Sequence, residues 1–386
     1  MTTTTASTGP PGLSFSPGTF AKLSPHPYLL AHLSSQPTSG TASSKSPTPS
    51  VRPNGRLPSE FRIPHVNTGS LTHAEGSSVV RLGDTTAVCG VRGEILLASD
   101  VAGHRGDLGA RNDSTAGTAD DGAKRLKELE LLVPNIELAT GCSPAFLPGQ
   151  PPSTLAQGLS TRVYSLLHES RLVDIEDLKI WYTPPGGGVG DEMEEDVGDG
   201  DSDGDEEERS VVKAYWTLYI DILFISFDGN PFDAAWAAAL AALRNVRLPR
   251  ACWDVDAEMV LCSDELSEAK TLSLRGLPVA CTFAVFKAKE AQAGNDGRDA
   301  KRQWILADPD TFEEGLCDES VTVVVDCSRR SQGQGHGQKH GTRLLGISKV
   351  GGTGVGKGEM RELVGLGEKR WVEWDGLLGS GKDGKT

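Results

Sequence analysis

The stretch YIDILFISFDGNPFDAAWAAALAALRNVRLP, residues 219–249, constrains this chain more than any other. It completes a nearly apolar run over 211–227, which predicts a strand buried on both faces. Asp228 and Gly229 end that strand, and an alanine-rich helix is expected from Asp233 to Asn245. A strand, a short turn and a helix in this order bring free N–H groups and the positive end of a helix dipole together. Phosphate binds at such joints. The chemistry of residues 228–233 therefore decides what the joint holds.

The rest of the chain is less committed. Hydrophobic residues are 37% of 386, while Gly (46) and Pro (22) exceed average usage. Such a composition leaves roughly 250 residues for folded structure. Residues 1–50 are Thr/Ser/Pro-rich and read as largely disordered, with a short helix expected at 25–33, PHPYLLAHL. Two polar stretches, about 104–127 and 186–208, read as insertions that project as loops. Residues 191–208 carry about a dozen carboxylates and no base, so the net charge of −15 falls to about −3 without them. The acidity is local and leaves room for a basic surface elsewhere.

Seven cysteines, at 89, 142, 252, 262, 281, 317 and 327, form no C-x-x-C pair and lie mostly in apolar surroundings. Buried, reduced thiols are expected, without zinc. The N-terminal segment lacks the apolar core of a secretory signal, and its first arginine, Arg52, comes too late for a mitochondrial presequence. The longest apolar run, 234–243, is too short to span a membrane.

Periodicity fills in the architecture. SSVVRLGDTTAVCGV has two β-branched runs around Gly83-Asp84, a hairpin signal. STLAQGLSTRVYSLLHES places Leu155, Leu159, Val163, Leu166 and Leu167 on one helical face. LPVACTFAVF, WILADPD and SVTVVVDCS read as further strands, and KGEMRELVGLGEKRWVEW as a last helix weakened by Gly365 and Gly367. Two successive strand-rich units, each closed by a helix, indicate an α+β chain.

Several motifs dissolve on inspection. GSGKDGKT at 379–386 spells a phosphate-loop pattern, but no helix follows it to aim N–H groups at a nucleotide. GGTGVGKG at 351–358 puts Gly358 where a magnesium-binding hydroxyl belongs. DGDSDGDEEERS imitates a calcium loop, yet its twelfth position is Ser210 in place of a bidentate glutamate. His336 and His340 sit in a Gly-rich stretch and make no metal site. No cofactor and no metal are expected.

Taken in chain order, RPNGR and EFR (52–62), GSSVVRLGDTTAVCGV (76–91), the 219–249 stretch, PVACTFAVF (278–286) and DPDTFEEGLCDESVTVVVD (308–326) resemble the ribonuclease PH family. More narrowly, the chain is similar to the ribonuclease PH-like subunits that build the six-membered ring of the eukaryotic RNA exosome. PYLLAHL (27–33) and CSPAFLPGQPP (142–152) favour the ribosomal-RNA-processing protein forty-three type. The resemblance covers about residues 25–328 and implies a two-unit α+β fold. Its first unit, over 51–249, would resemble ribosomal protein S5 domain 2, with a second unit over 250–375 and a flexible tail at 376–386. The implied partners are other ribonuclease PH-like ring subunits, S1/KH cap subunits and RNA, with no membrane. The implied location is nucleus, nucleolus and cytoplasm.

The resemblance also says what the joint has lost. Catalytic members carry Asp-Gly-Gly-Thr-Arg there, and the threonine and arginine hold the attacking phosphate. This chain reads Asp228, Gly229, Asn230, Pro231 and Phe232. Pro231 has no N–H and Phe232 no charge, so a phosphate dianion would be poorly compensated. The catalytic carboxylate of active members precedes the second-unit strand, where this chain has Arg275-Gly276-Leu277-Pro278-Val279. The expectation is a degenerate phosphate site at Asn230, Pro231 and Phe232, no catalytic residue, and a non-catalytic ring subunit. RNA contacts would then be backbone contacts from Arg52, Arg56 and Arg162. The alternatives are an active phosphorolytic 3′→5′ exoribonuclease and a free-standing RNA-binding module.

Overall fold

The computed structural model describes residues 15–34, 50–101, 119–183, 210–288, 303–328, 341–352 and 354–379. The acidic block at 191–208, the pair His336 and His340, and most of the expected tail lie outside these residues.

Seven α-helices are described: α1 (Pro17–Leu23), α2 (Pro25–Leu33), α3 (Ala119–Glu128), α4 (Thr154–Ser170), α5 (Pro231–Arg244), α6 (Thr311–Glu314) and α7 (Lys357–Gly379). The first strands are β1 (Pro64–Thr68), β2 (Gly76–Leu82), β3 (Thr85–Leu97), β4 (Leu132–Leu138), β5 (Lys179–Tyr182) and β6 (Val211–Ser226). Four short strands follow: β7 (Arg247–Leu248), β8 (Ala251–Asp254), β9 (Met259–Cys262) and β10 (Lys270–Thr271). The last are β11 (Val279–Lys287), β12 (Gln303–Ala307), β13 (Glu319–Asp326) and β14 (Arg343–Val350). The main sheet has the order β1-β2-β3-β6-β4, with β5 also on β6, and a second sheet has the order β12-β11-β13-β14. This is an α+β architecture, as the sequence pattern predicts.

The chain forms two compact units, and neither is continuous in sequence. One gathers residues 1–62, 281–323 and 346–366, the other 63–280, 324–345 and 367–386.

The larger unit is organised by β6, which pairs antiparallel with β3 and parallel with β4. Gly83 and Asp84 form the two-residue turn between β2 and β3, and Gly83 takes a φ of +57°. Burial of β6 on both faces holds only in its first half. From Ile220 onward burial alternates: Ile222 and Phe224 are buried, whereas Leu223 and Ile225 are 39% and 54% exposed. The register explains the change. Ser78, Cys89, Ile222 and Ile136 form one cross-strand row, and Ser78 Oγ donates to Ala238 O of α5 at 2.7 Å. The helix covers that face, and the alternate residues point the other way.

Helix α5 begins at Pro231, two residues before its expected start, and residues 231–243 are all buried. Its small side chains allow a close approach to the sheet. Gly76 of β2 makes the approach closer still, because a Cβ there would lie 2.6 Å from Ala242 O. On α4 the expected apolar face is confirmed at Leu159, Val163, Leu166 and Leu167, but Leu155 in the first turn is 40% exposed.

In the smaller unit α2 inserts Leu29 and Leu33 against Phe286 and Leu306. His26 Nε2 lies 2.8 Å from Lys287 O and secures the helix start. This packing gives the 25–33 helix its place in a core.

Further sequence expectations are corrected or extended. The stretch expected as a polar insertion up to 127 contains α3, whose acidic first turn and basic last turn complement the helix dipole. Helix α7 forms through Gly365 and Gly367 and continues to Gly379, into the expected tail. Cys252 and Cys262 are exposed, because they sit on the small β8–β9 hairpin. Strand β14 and helix α1 had no clear sequence signal; β14 alternates poorly and is largely exposed.

Candidate functional site

The joint after β6 is closed by its own residues. Gly229 and Asn230 both take left-handed conformations, with φ of +73° and +47°. Asp228 N–H donates to Thr85 Oγ1 at 3.0 Å, and Thr85 Oγ1 donates to Gly229 O at 2.9 Å. Asn230 Nδ2 donates to Asp233 Oδ2 at 2.8 Å, inside the first turn of α5. Pro231 occupies the first helical position, where its missing N–H costs least. Asp233 brings a carboxylate to the positive end of the helix dipole. Asn230, Phe232 and Asp233 are 1%, 5% and 7% exposed. An incoming phosphate would meet a ring, a proline and a like charge, where donors are required.

The segment before β11 is equally committed to the fold. Leu277 is 1% exposed, and its N–H donates to Asp326 Oδ1 at 3.3 Å. Trp371 Nε1 donates to Leu277 O at 2.8 Å, and Trp236 Nε1 donates to Pro278 O at 2.7 Å. Gly276 has a φ of +88°, and a Cβ there would lie 2.4 Å from Asp326 Oδ2. The space among Asp233, Trp236, Pro278 and Trp374 amounts to about 10 Å³, too little for a phosphate. Asp326 is a buried acid in this region that sequence reasoning missed. It accepts from Leu277 N–H and from Ser328 N–H and Oγ (3.0 and 2.6 Å), so it acts as a backbone clamp.

Beside the joint lies a groove of about 750 Å³, walled by residues 140–153 and floored by β4. Phe227 N–H donates to Cys142 O at 3.1 Å, and the rings of Phe146 and Phe227 meet edge-to-face at 5.9 Å. Those contacts tie the groove wall to the residue that precedes Asp228. The described lining contains Glu137 and no Lys, Arg or His. A cleft that holds RNA phosphates needs the opposite charge.

The three candidate arginines have different fates. Arg52 is 1% exposed; its Nη1 donates to Glu313 Oε2 at 3.0 Å, and its Nε and Nη2 donate to Leu57 O at 3.1 and 2.9 Å. The structure gives Arg52 to the fold and not to solvent, because releasing it would leave Glu313 buried without its closest cation. Arg56 joins the same cluster, donating to Asp308 O at 3.0 Å and lying 3.8 Å from Asp308 Oδ2. Desolvation and the neighbouring Arg52 lower its pKa below the ordinary arginine value. Arg62 completes the cluster with two bonds to Asp308, at 2.9 and 2.7 Å. Arg162 belongs to the other unit. It stands on the exposed side of α4, with its Cζ 3.8 Å from the ring centroid of Phe232. Partial desolvation against that ring lowers its pKa, and the charge of Asp233 opposes the shift.

Comparison with known proteins bears on the family and the fold. Residues 60–249 match domain 1 of the 3′ exoribonuclease family, RNase_PH. Over 343 residues the chain is 30% identical to exosome complex component rrp43 of Schizosaccharomyces pombe, covering 89% of this chain and 91% of that protein. It is 29% identical over 289 residues to exosome complex component Rrp42 of Methanothermobacter thermautotrophicus, with 74% and 80% covered. In fold it matches a chain of the Archaeoglobus fulgidus exosome with RNA bound to the active site. That match has a TM-score of 0.51 at 24% identity and covers 88% of this chain and 92% of that one.

Proposed function

We propose that this chain, which belongs to the ribonuclease PH family and is an exosome ring subunit of it, is a non-catalytic structural member of that ring. The observation that carries the reading is the joint at Asn230, Pro231 and Phe232. Asn230 Nδ2 and the Asp228 N–H are spent within the fold, the helix start is occupied by Asp233, and Pro231 brings no N–H and the Phe232 side chain no charge. Buried Leu277, in the segment before β11, supports the same reading for the acid.

In this role the chain supplies surface rather than chemistry to 3′→5′ RNA processing and turnover, ribosomal RNA maturation included. Its partners are other ribonuclease PH-like ring subunits, S1/KH cap subunits and RNA, in nucleus, nucleolus and cytoplasm. Arg162 leads the candidates for an RNA backbone contact, since it stands on the exposed side of α4, and Arg56 follows. The test is release of nucleoside diphosphates from a labelled single-stranded RNA by the purified chain, with and without inorganic phosphate. No phosphate-stimulated release is expected. Phosphate-dependent shortening would establish the enzyme reading in its place.

A further inference from the structure

The groove beside the joint has the features of a peptide site. Its floor is β4, which among the described residues pairs with β6 alone and is therefore an edge strand. The pairing is parallel, and Leu218 N–H donates to Leu131 O. In a parallel ladder alternate residues of one strand bond the same neighbour, so the main-chain groups of Ile136 and Leu138 face away from β6. Upstream the edge is already closed: Pro134 has no N–H, and its carbonyl accepts from Ser160 Oγ at 2.8 Å. At 136–138, where the groove runs, no second strand pairs with the edge among the described residues.

The walls select among occupants. Phe146, Leu147, Pro151 and Pro152 present carbon, and Leu147 is 66% exposed. Glu137 is exposed and lines the groove, and Asp221, the cross-strand partner of the lining residue Asn135, accepts from Asn135 Nδ2 at 3.3 Å. A lining carboxylate without a basic lining residue repels a polyanion and attracts a cation. An extended peptide satisfies all three features. Its backbone pairs with Ile136 and Leu138, an apolar side chain covers Leu147, and a lysine or arginine meets Glu137.

We infer that the groove between β4 and residues 140–153 docks an extended, neutral-to-basic segment of a partner protein, which adds as a strand at 136–138. The probe is a display library of short random peptides selected on the full-length chain, followed by anisotropy titrations of the selected peptides. Glu137→Lys and Leu147→Asp serve as groove variants, since both side chains are exposed and neither change disturbs the core. Selected peptides are expected to pair an apolar residue with Lys or Arg. Each variant is expected to weaken their binding about tenfold. Bound peptide should slow hydrogen exchange at the Ile136 and Leu138 amides. The proposal is overturned if no peptide is selected, if the selected peptides are acidic, or if they bind both variants unchanged. Displacement of the peptides by a single-stranded oligouridylate, or protection of those amides by self-association alone, would also overturn it.

Discussion

Arg162 of α4 stacks over Phe232 of α5, with its Cζ 3.8 Å from the ring centroid. The turn itself carries no cation; the guanidinium that rests on its ring comes from α4. Arg162→Ala is expected to cost about 0.5–2 kcal/mol of stability, the range from exposed to desolvated cation–π pairs, because the Phe232 ring is buried. If Arg162 contacts one RNA phosphate, the variant should also reduce the salt dependence of RNA binding by about one phosphate equivalent. Titrations at several salt concentrations read that slope directly.

Arg52 and Glu313 are buried together, with side chains 0% exposed. Breaking such a pair on one side costs about 3–5 kcal/mol, so Arg52→Leu should destabilise strongly in urea unfolding. The double change Arg52→Leu with Glu313→Leu should recover much of the loss. Burial pushes the Glu313 carboxyl above its ordinary pKa, and Arg52 pulls it back. Without Arg52 the upward shift grows. A carboxyl raised in the folded state gives stability at low pH that is lost as pH rises, so the Arg52→Leu deficit should shrink on acidification.

Asp177 behaves in the opposite sense. Burial raises its pKa, but the Ser273 amide (2.6 Å) and Lys270 Nζ (2.9 Å) outweigh this and hold it below the ordinary value. A depressed carboxyl contributes stability above its unfolded pKa and loses it as pH falls through the folded one. Wild type should therefore exceed Asp177→Asn in stability at neutral pH. The two unfolding midpoints should converge only as pH falls below the ordinary aspartate value of 3.8.

Gly76 tests the close seating of α5. Gly76→Ala would place a Cβ 2.6 Å from both Ala242 O and Val246 Cγ2. An overpacking cost of about 1–3 kcal/mol is expected, measurable as a lowered melting temperature.

What could be read from the sequence follows from where each cause lies along the chain. The turn was legible because its chemistry is local: Pro231 suits the first helical position, and Asp233 suits the positive end of the helix dipole. The arginine cluster was not legible, because Arg52 and Glu313 stand 261 positions apart and each looks like an ordinary surface charge. The exposed half of β6 was missed since Leu223 and Ile225 continue an apolar run, and only the register shows which face α5 covers. The groove beside β4 gave no signal, because prolines, glycines and small residues in a loop carry no periodicity. Helix α7 overrode the low propensity of its glycines through packing that buries Leu363 and Trp374.

The most direct test of the central claim is a reconstituted exosome carrying Asp228→Asn. Asp228 stands at the head of the joint, and its N–H is held by Thr85. If the joint is purely structural, the ring should assemble in full stoichiometry, and phosphate-dependent release of nucleoside diphosphates should equal that of the parent complex. In an active site, loss of one positioned polar group commonly lowers rate by about 10²–10³. Phosphate-stimulated release that disappears with Asp228→Asn in a fully assembled ring would contradict the account.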